Sequence, residues 1–471
     1  MSAKQPIQSL KRFEIAPMNQ SSGSATFSYK DGNPLIQFEI GAEDLYLMSH
    51  TLRVNFQLDI TNGAGVQPNN NNQDAGATPF SSVLTDNKVG VASCIENITV
   101  TNLQNNVLEY CRSYPRLLAS LIPGGAGFGD YAGYLTQQFA ASSNVQVQGR
   151  MCNRKMEVSM PLMCGIFLNG ENIPLSFQAG TGGLRISIML SPSIQALYGL
   201  DAPTVAATRN SYYTLSKISL TGQYGVPSGG RLPAIKQLGF SAYQNFYSVL
   251  TTNDNTQQIS PSLAAVVSQF SNFVPTKNIS NWSANGYATT PLLNEATGTG
   301  DPVNVAPADG ISFIRAGVQY PLKFKIDSRQ MVQFDPAAAA GNFYATSGFD
   351  AQRQFYYQTA LRPIRKTSQC LAGENSEGLS IANGDLNHNT TTGTDVQGSA
   401  AGVSAGFQNC YGVGCRYDAL GNGSTANFKN QSFSLRLQSK LNGVSAMSAY
   451  TYFLHRGVIN YDGNGIVSIS T

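Results

Sequence analysis

Charged residues are scarce in this chain of 471 residues. Asp, Glu, Lys and Arg make up 12% of it, about half of the roughly 25% that is usual for soluble proteins. The 30 basic and 27 acidic residues leave a net charge of only +3, which argues against a chain that binds polyanions over its whole surface. A charge-poor protein tends to self-associate, which is a disadvantage for a monomer and an advantage for a subunit of an assembly.

Long apolar runs and cysteine pairs are also missing. No stretch of 18 or more apolar residues occurs, so we expect no transmembrane helix. The first residues, MSAKQP, lack the apolar core of a signal peptide, and we expect an intracellular chain. No CxxC spacing is present, so we expect no zinc knuckle and interpret the cysteines as reduced and half-buried. They are Cys94, Cys111, Cys152, Cys164, Cys370, Cys410 and Cys415.

Sequence motifs for catalysis or cofactor binding are absent as well. The chain has three histidines without metal-ligand spacing, and HExxH does not occur. Glycines at 124–129 lack the spacing of a phosphate loop, and 385–396 lacks the glycine and glutamate of a calcium loop. We therefore predict no catalytic, cofactor-binding or metal-binding residue, and we interpret His455, which follows a predicted strand, as a surface residue. The other histidines are His50 and His388.

The residues that are abundant favour β structure. The chain has 46 Gly, 21 Pro, 22 Tyr and 23 Phe, a mixture typical of β-rich proteins with many turns. Apolar residues alternate with polar ones in several short segments, which predicts half-buried strands. In the first half these segments are 35–40, 52–60, 184–190 and 213–220, together with a hairpin formed by 94–100 and 107–110.

The second half shows the same pattern, with strands predicted at 240–250, 318–326, 433–437, 450–454 and 457–461. Helices are predicted at 114–122 and 349–361. A third helix is predicted to begin at Ser260-Pro261, with an apolar stripe that reaches Phe270. Long polar loops are predicted at 61–79, 278–309 and 372–404.

Residues 225–233 contain three Gly and two Pro near the midpoint of the chain and form the best linker candidate. We therefore predict an irregular N-terminal arm at 1–30, a first sandwich at 31–228 and a second at 229–471. The arm carries a basic cluster of Lys4, Lys11 and Arg12, which we regard as a weak anchor for nucleic acid or acidic lipid, or as a solvated tail. Regularly spaced strands predict sandwiches or barrels, and two four-stranded sheets form a jelly roll.

Four segments resemble the double jelly-roll major capsid proteins of tailless icosahedral DNA viruses. The first runs from Phe80 through the 94–110 hairpin to Leu118 and includes Glu109. The second combines the P-L-x-x-G-x-F strand at 161–167 with an I-P-L turn at 173–175 and a G-L-R-I strand at 183–186. The third and fourth are the predicted helix at 260–270 and the pair of strands at 433–437 and 450–454.

The resemblance covers nearly the whole chain and is nearest to virophages and Polinton-like viruses. It implies an all-β fold of two consecutive eight-stranded jelly-roll sandwiches with a few short helices and long loops. It also implies a structural protein rather than an enzyme. Three copies would form a pseudo-hexameric capsomer, or hexon, in the icosahedral capsid of a virion that is assembled inside the host cell.

The partners implied are other copies of the chain, penton proteins and minor capsid or cement proteins. The arm with Lys4, Lys11 and Arg12 would point inward, toward the genome or an internal membrane. Two other functions stay open at this point. One is a glycan- or receptor-binding viral spike built on β-sandwiches, and the other is a β-sandwich enzyme acting on glycans.

Overall fold

The computed structural model describes most of the first half of the chain and the central strands of the second. The described residues are 7–20, 26–41, 43–61, 83–85, 89–125, 156–168, 171–176, 183–199, 210–232, 237–250, 255–276, 279, 322–326, 329–333, 412–416, 425–429, 433–437, 447–462 and 465–470. Among these residues, no helix combines the length and the apolarity that crossing a membrane requires. The helix predicted at 349–361, most of the three long loops, and His388 lie outside the described residues.

The first half of the chain forms a β-sandwich. A six-stranded sheet has the order β8–β4–β12–β3–β9, with β1 also paired to β12, and a four-stranded sheet has the order β2–β10–β6–β7. Two short strands, β5 and β11, pair separately. The bounds are β1 (Ile7–Ile15), β2 (Leu35–Ile40), β3 (Tyr46–Leu47), β4 (Arg53–Thr61), β5 (Val83–Thr85), β6 (Ile95–Asn102), β7 (Val107–Cys111), β8 (Met156–Pro161), β9 (Ile173–Pro174), β10 (Leu184–Leu190), β11 (Leu197–Gly199) and β12 (Tyr212–Pro227).

Alternation of apolar and polar residues explains why these segments are strands. In β4, Val54, Phe56, Leu58 and Ile60 are all buried, while the residues between them are partly exposed. The same period of two is seen in β2 and β10, because side chains of a strand point alternately to the two faces of its sheet. The predicted hairpin of β6 and β7 is confirmed by their antiparallel pairing.

The second half forms another β-sandwich. Its five-stranded sheet has the order β13–β20–β15–β18, with β21 also paired to β20, and its four-stranded sheet has the order β14–β19–β16–β17. The bounds are β13 (Gln237–Leu250), β14 (Asn255–Ile259), β15 (Val266–Pro275), β16 (Leu322–Ile326), β17 (Arg329–Gln333), β18 (Gly412–Arg416), β19 (Phe433–Leu437), β20 (Met447–Asp462) and β21 (Gly465–Ser470). The segments predicted as separate strands at 450–454 and 457–461 are therefore parts of one long strand.

Helices are short and few among the described residues. The helix predicted at 114–122 is confirmed as α1 (Tyr114–Gly125), and a single turn, α2 (Ser193–Ala196), and a 3-10 turn (Val91–Cys94) join strands of the first sandwich. The helix predicted to begin at Ser260-Pro261 is wrong, since this part of the chain leads into strand β15. All six residues from Val266 to Ser271 are buried, and a strand that is buried on both faces does not alternate.

The N-terminal segment differs from the irregular arm that the sequence predicted. Residues 7–15 form β1, which pairs antiparallel with β12 from Ile15 opposite Leu220 to Ile7 opposite Pro227. Phe13 stacks on Tyr224 at 4.2 Å between ring centroids, which attaches the strand to the sheet. The division into sandwiches at 31–228 and 229–471 stays a prediction. Residues 228–230 form a turn between β12 and β13, and Gly229 and Gly230 adopt positive φ angles there.

Candidate functional site: the junction between the two sandwiches

The two sandwiches meet along a contact surface that we call the junction. It is formed by residues 109–116 and 162–168 of the first half and by β13, β15 and β20 of the second. Gly165 marks the closest approach, since a Cβ atom at this position would lie 2.9 Å from the Ala242 Cα and 2.9 Å from the Ser241 carbonyl oxygen. Only glycine allows the two backbones to pack at this separation.

Apolar and aromatic side chains fill much of the junction. A single cluster of buried residues includes the core of the first sandwich and also Tyr243, Phe270 and Tyr452 of the second. The rings of Phe270 and Tyr452 stack at 5.3 Å, and Tyr243 meets Phe270 edge-on at 6.2 Å. The Tyr452 hydroxyl donates a hydrogen bond of 3.0 Å to the carbonyl oxygen of Ser113 in the first half. Burial raises the pKa of Tyr452 well above its usual value, so this hydroxyl keeps its proton.

Strand β20 is central to the junction because both of its faces are buried from Ser448 to His455. On one face, Phe453 contacts Phe246 and Phe428 of the same sandwich, with ring centroids 5.6 and 5.8 Å apart. On the other face, Tyr452 reaches the first sandwich. This two-sided burial explains why the strand is apolar without alternation.

A buried carboxylate, Glu109 of β7, lies at the centre of the junction. Its Oε1 atom accepts hydrogen bonds from the backbone N–H groups of Gly165 at 2.9 Å and Tyr243 at 2.8 Å. Its Oε2 atom accepts one from the N–H of Ile166 at 2.8 Å, and the Cys111 thiol lies 3.3 Å from Oε1. One side chain thus binds backbone donors from both halves of the chain.

The partners of Glu109 also determine its charge. Burial raises the pKa of this carboxyl, and the three N–H groups and the Cys111 thiol act in the opposite direction. Each of these partners donates to the carboxyl oxygens, whereas a protonated carboxyl would itself need an acceptor. The arrangement therefore requires the ionised form at neutral pH.

A second polar group, in the first turn of α1, lies at the edge of the junction. Arg116 is only 4% exposed, and its guanidinium lies over the ring of Tyr450 at 5.6 Å. Together with Glu96 these residues line a small cavity of about 80 Å³ between the two halves. Burial raises the pKa of Glu96, and the charge of Arg116 opposes that effect.

The residues singled out from sequence lie elsewhere. Lys11 and Arg12 are exposed residues of β1, and Lys4 lies outside the described residues. The predicted surface position of His455 is wrong, because this residue is 5% exposed within β20 and burial lowers its pKa to about 4. His50 follows β3 in the first half, at a positive φ of 63°.

Three cysteines can be placed in detail. Cys94, Cys111 and Cys164 form no disulfide and are fully buried, rather than half-buried as predicted. Cys111 and Cys164 lie together beside Glu109, although they are far apart in the sequence and match no metal-binding motif. Cys152, Cys370 and Cys410 lie outside the described residues.

No chemical motif in the sequence singles out Glu109 or Gly165, but two of the segments that carry the resemblance contain them. Glu109 belongs to the hairpin segment, and Gly165 is the glycine of the P-L-x-x-G-x-F segment at 161–167. The structure brings these two segments together through the hydrogen bond between the Glu109 carboxylate and the Gly165 N–H. The presence of both residues in segments that carry the resemblance is the sequence signal that could have pointed to the junction.

Comparison with known proteins supports this architecture. No family model and no curated protein matches the chain, but solved structures match it over almost its full length. The Faustovirus major capsid protein has a TM-score of 0.54 at 11% identity, with 98% of this chain and 92% of that chain covered. The chain has a double jelly-roll fold.

Two further structures agree with this result. A chain of the Sputnik virophage structure has a TM-score of 0.54 at 10% identity. The match covers 100% of this chain and 90% of the Sputnik chain. PBCV-1 VP54, fitted into a reconstruction of Sputnik, has a TM-score of 0.51 at 10% identity. The match covers 99% of this chain and 98% of VP54. Identities this low establish the fold alone. The all-β double jelly roll expected from the sequence is thereby confirmed.

Proposed function

We propose that this chain is a major capsid protein and acts as a structural subunit rather than as an enzyme. The observation that carries the proposal is the match of both sandwiches, over 98% of the chain, to the Faustovirus major capsid protein. The chain would accordingly reside in the capsid of a virion.

The assembled unit in this proposal is a homotrimer that forms a pseudo-hexameric capsomer. Three copies of a two-sandwich chain present six similar sandwiches, a number that packs in a hexagonal lattice. The low content of charged residues favours extensive contacts between copies. Several large apolar side chains are exposed on the single chain and are candidates for such contacts, namely Leu10, Met18, Tyr29, Val107, Tyr110, Tyr247 and Val458.

We further propose that the basic N-terminal segment with Lys4, Lys11 and Arg12 faces the inside of the shell and contacts the DNA genome or an internal membrane. Lys11 and Arg12 are exposed on β1, so both charges are free to reach a polyanion. Penton, minor capsid and cement proteins are the other partners in this proposal. Their contacts would lie on surfaces that trimer formation leaves open.

The test of the capsomer is the mass of the purified full-length chain in solution, combined with electron microscopy of the same sample. A stable species near three times 50.3 kDa, with six-lobed top views or closed shells, is the expected result. A protein that stays monomeric even at high concentration would contradict the proposal. Binding of that monomer to a glycan array would favour a glycan- or receptor-binding spike.

A charge-reversal experiment tests the basic segment separately. The double variant Lys11→Glu and Arg12→Glu should trimerise normally but co-sediment less with DNA or with acidic lipid vesicles at low salt. The matched control reverses two other exposed lysines, Lys217→Glu and Lys429→Glu. Equal losses in the two double variants would show that the segment has no specific role.

A further inference from the structure

Three potential metal ligands converge in the first sandwich next to the junction. The Sγ atoms of Cys111 and Cys164 and a carboxylate oxygen of Glu109 all lie within 4.8 Å of one another, and all three residues are buried. Cys111 and Glu109 belong to β7, whereas Cys164 belongs to the 162–168 segment that packs against it. The fold therefore brings together two sulfur donors and one oxygen donor from distant parts of the sequence.

The spacing of these atoms suits a tetrahedral ion. With Zn–S and Zn–O bonds of about 2.3 and 2.0 Å, sulfur and oxygen ligands of one Zn²⁺ lie about 3.5 Å apart. The Cys111 Sγ atom and the Glu109 Oε1 atom are 3.3 Å apart. Thiolates select soft or borderline ions such as Zn²⁺ over Mg²⁺ or Ca²⁺.

The carboxylate is also held in place in a way that suits a metal ligand. Backbone N–H groups of Gly165, Ile166 and Tyr243 orient it, and such outer hydrogen bonds commonly fix the ligands of metal sites. The Oε2 atom accepts a hydrogen bond only from Ile166 among the described residues, so it keeps a lone pair for an ion. In the absence of metal, the hydrogen bond with Cys164 and burial raise the pKa of the Cys111 thiol, and burial raises the pKa of the Cys164 thiol, so both thiols are neutral. Binding would release their two protons to solvent.

We propose that Cys111, Cys164 and the Oε2 atom of Glu109 form a binding site for one Zn²⁺ ion, with a water molecule as the fourth ligand. The ion cross-links β7 to the 162–168 segment. Because Glu109 also binds the N–H of Tyr243, the ion strengthens the connection between the two sandwiches. The sequence predicted no metal site because the two cysteines show no ligand spacing.

The experiment uses the full-length chain, stripped with a chelator under reducing conditions and then supplied with Zn²⁺ or Co²⁺. We expect on the order of one ion per chain by elemental analysis and a sulfur-to-cobalt charge-transfer band in the absorption spectrum. Cys111→Ser and Cys164→Ser should each abolish the band and lower the ion content at least tenfold. The matched control is Cys94→Ser, which changes another buried cysteine that forms no disulfide and should keep both the band and the ion content.

Two results would overturn the proposal. One is a folded wild-type protein that gives no sulfur-to-cobalt band, and this result does not depend on whether any variant folds. The other is a band that survives in Cys111→Ser or Cys164→Ser. A Cys111–Cys164 disulfide in protein purified without reductant, detected as a mass two hydrogens lower, would also count against a metal site if reduction restored no ion binding. None of these outcomes depends on trimer formation.

Discussion

Replacing Glu109 with glutamine is the sharpest test of the junction, because the change preserves size and removes only the charge and one acceptor. One carboxylate oxygen accepts hydrogen bonds from the N–H groups of Gly165 and Tyr243, and the other accepts one from the N–H of Ile166. If the glutamine oxygen accepts the hydrogen bonds from Gly165 and Tyr243, its NH₂ group faces the N–H of Ile166. Two donors then point at each other in a buried site.

The expected loss follows from these three hydrogen bonds. A buried donor without an acceptor costs about 1–3 kcal/mol. The two bonds that remain change from charged to neutral acceptors, which removes about 1 kcal/mol from each. The variant should therefore be less stable by about 3–5 kcal/mol. In a domain of about 200 residues, 1 kcal/mol corresponds to roughly 2–4 °C in Tm.

The assay is thermal unfolding of the full-length chain, measured by calorimetry. Glu157→Gln is the matched control, since the Glu157 side chain is 78% exposed and lies 3.9 Å from the Lys217 ammonium. The control should unfold within about 0.5 kcal/mol of wild type. If Glu109→Gln matched the control, the carboxyl would have to be protonated in the native state, and the argument from its donors would be refuted.

Three further substitutions test neighbouring features. Gly165→Ala should destabilise by about 1–3 kcal/mol in the same assay, because its Cβ has no room beside Ala242, whereas Gly41→Ala, with open space around it, should not. His455 has a pKa lowered to about 4, so stability should fall as pH drops from about 6.5 toward 4, by about 1.4 kcal/mol per pH unit. His455→Gln should flatten that slope in urea titrations, and an unchanged slope would refute the assignment. Tyr213→Phe should cost about 1 kcal/mol in denaturant unfolding, because its hydroxyl donates to the Ser191 carbonyl at 2.6 Å.

Strands with one buried face could be predicted from the sequence over most of their length, whereas of the strands buried on both faces β15 is predicted as a helix and β20 as two shorter strands. In β4 and β10 every second residue is buried, so the apolar pattern directly indicates the strand. In β15 and β20 the junction covers the second face, and the alternation disappears. The apolar residues of β15 happen to lie at helical spacing, so the pattern predicts a helix there. In β20 the pattern predicts two shorter strands in place of one.

The junction residues were harder to predict because their roles depend on contacts distant in sequence. Glu109 is one of 27 acidic residues, and nothing beside it in β7 indicates a buried charge. Its function depends on Gly165 and Tyr243, which are brought to it only by folding. His455 was misassigned for the same reason, since its burial results from the packing of β20.

A buried charge at this place has more to do with geometry than with stability. Replacing a buried ionic group with well-packed apolar residues is often neutral or stabilising, and the aromatic contacts of the junction already supply apolar burial. Apolar contacts are non-directional, however, so they allow two sandwiches to slide over each other. The hydrogen bond from the Tyr243 N–H to Glu109 and the close approach of Gly165 to Ala242 are directional and local, so they fix the register between the two sandwiches. The trimeric capsomer that we propose would require such a fixed arrangement, because any rotation within a subunit would be repeated three times around the trimer axis.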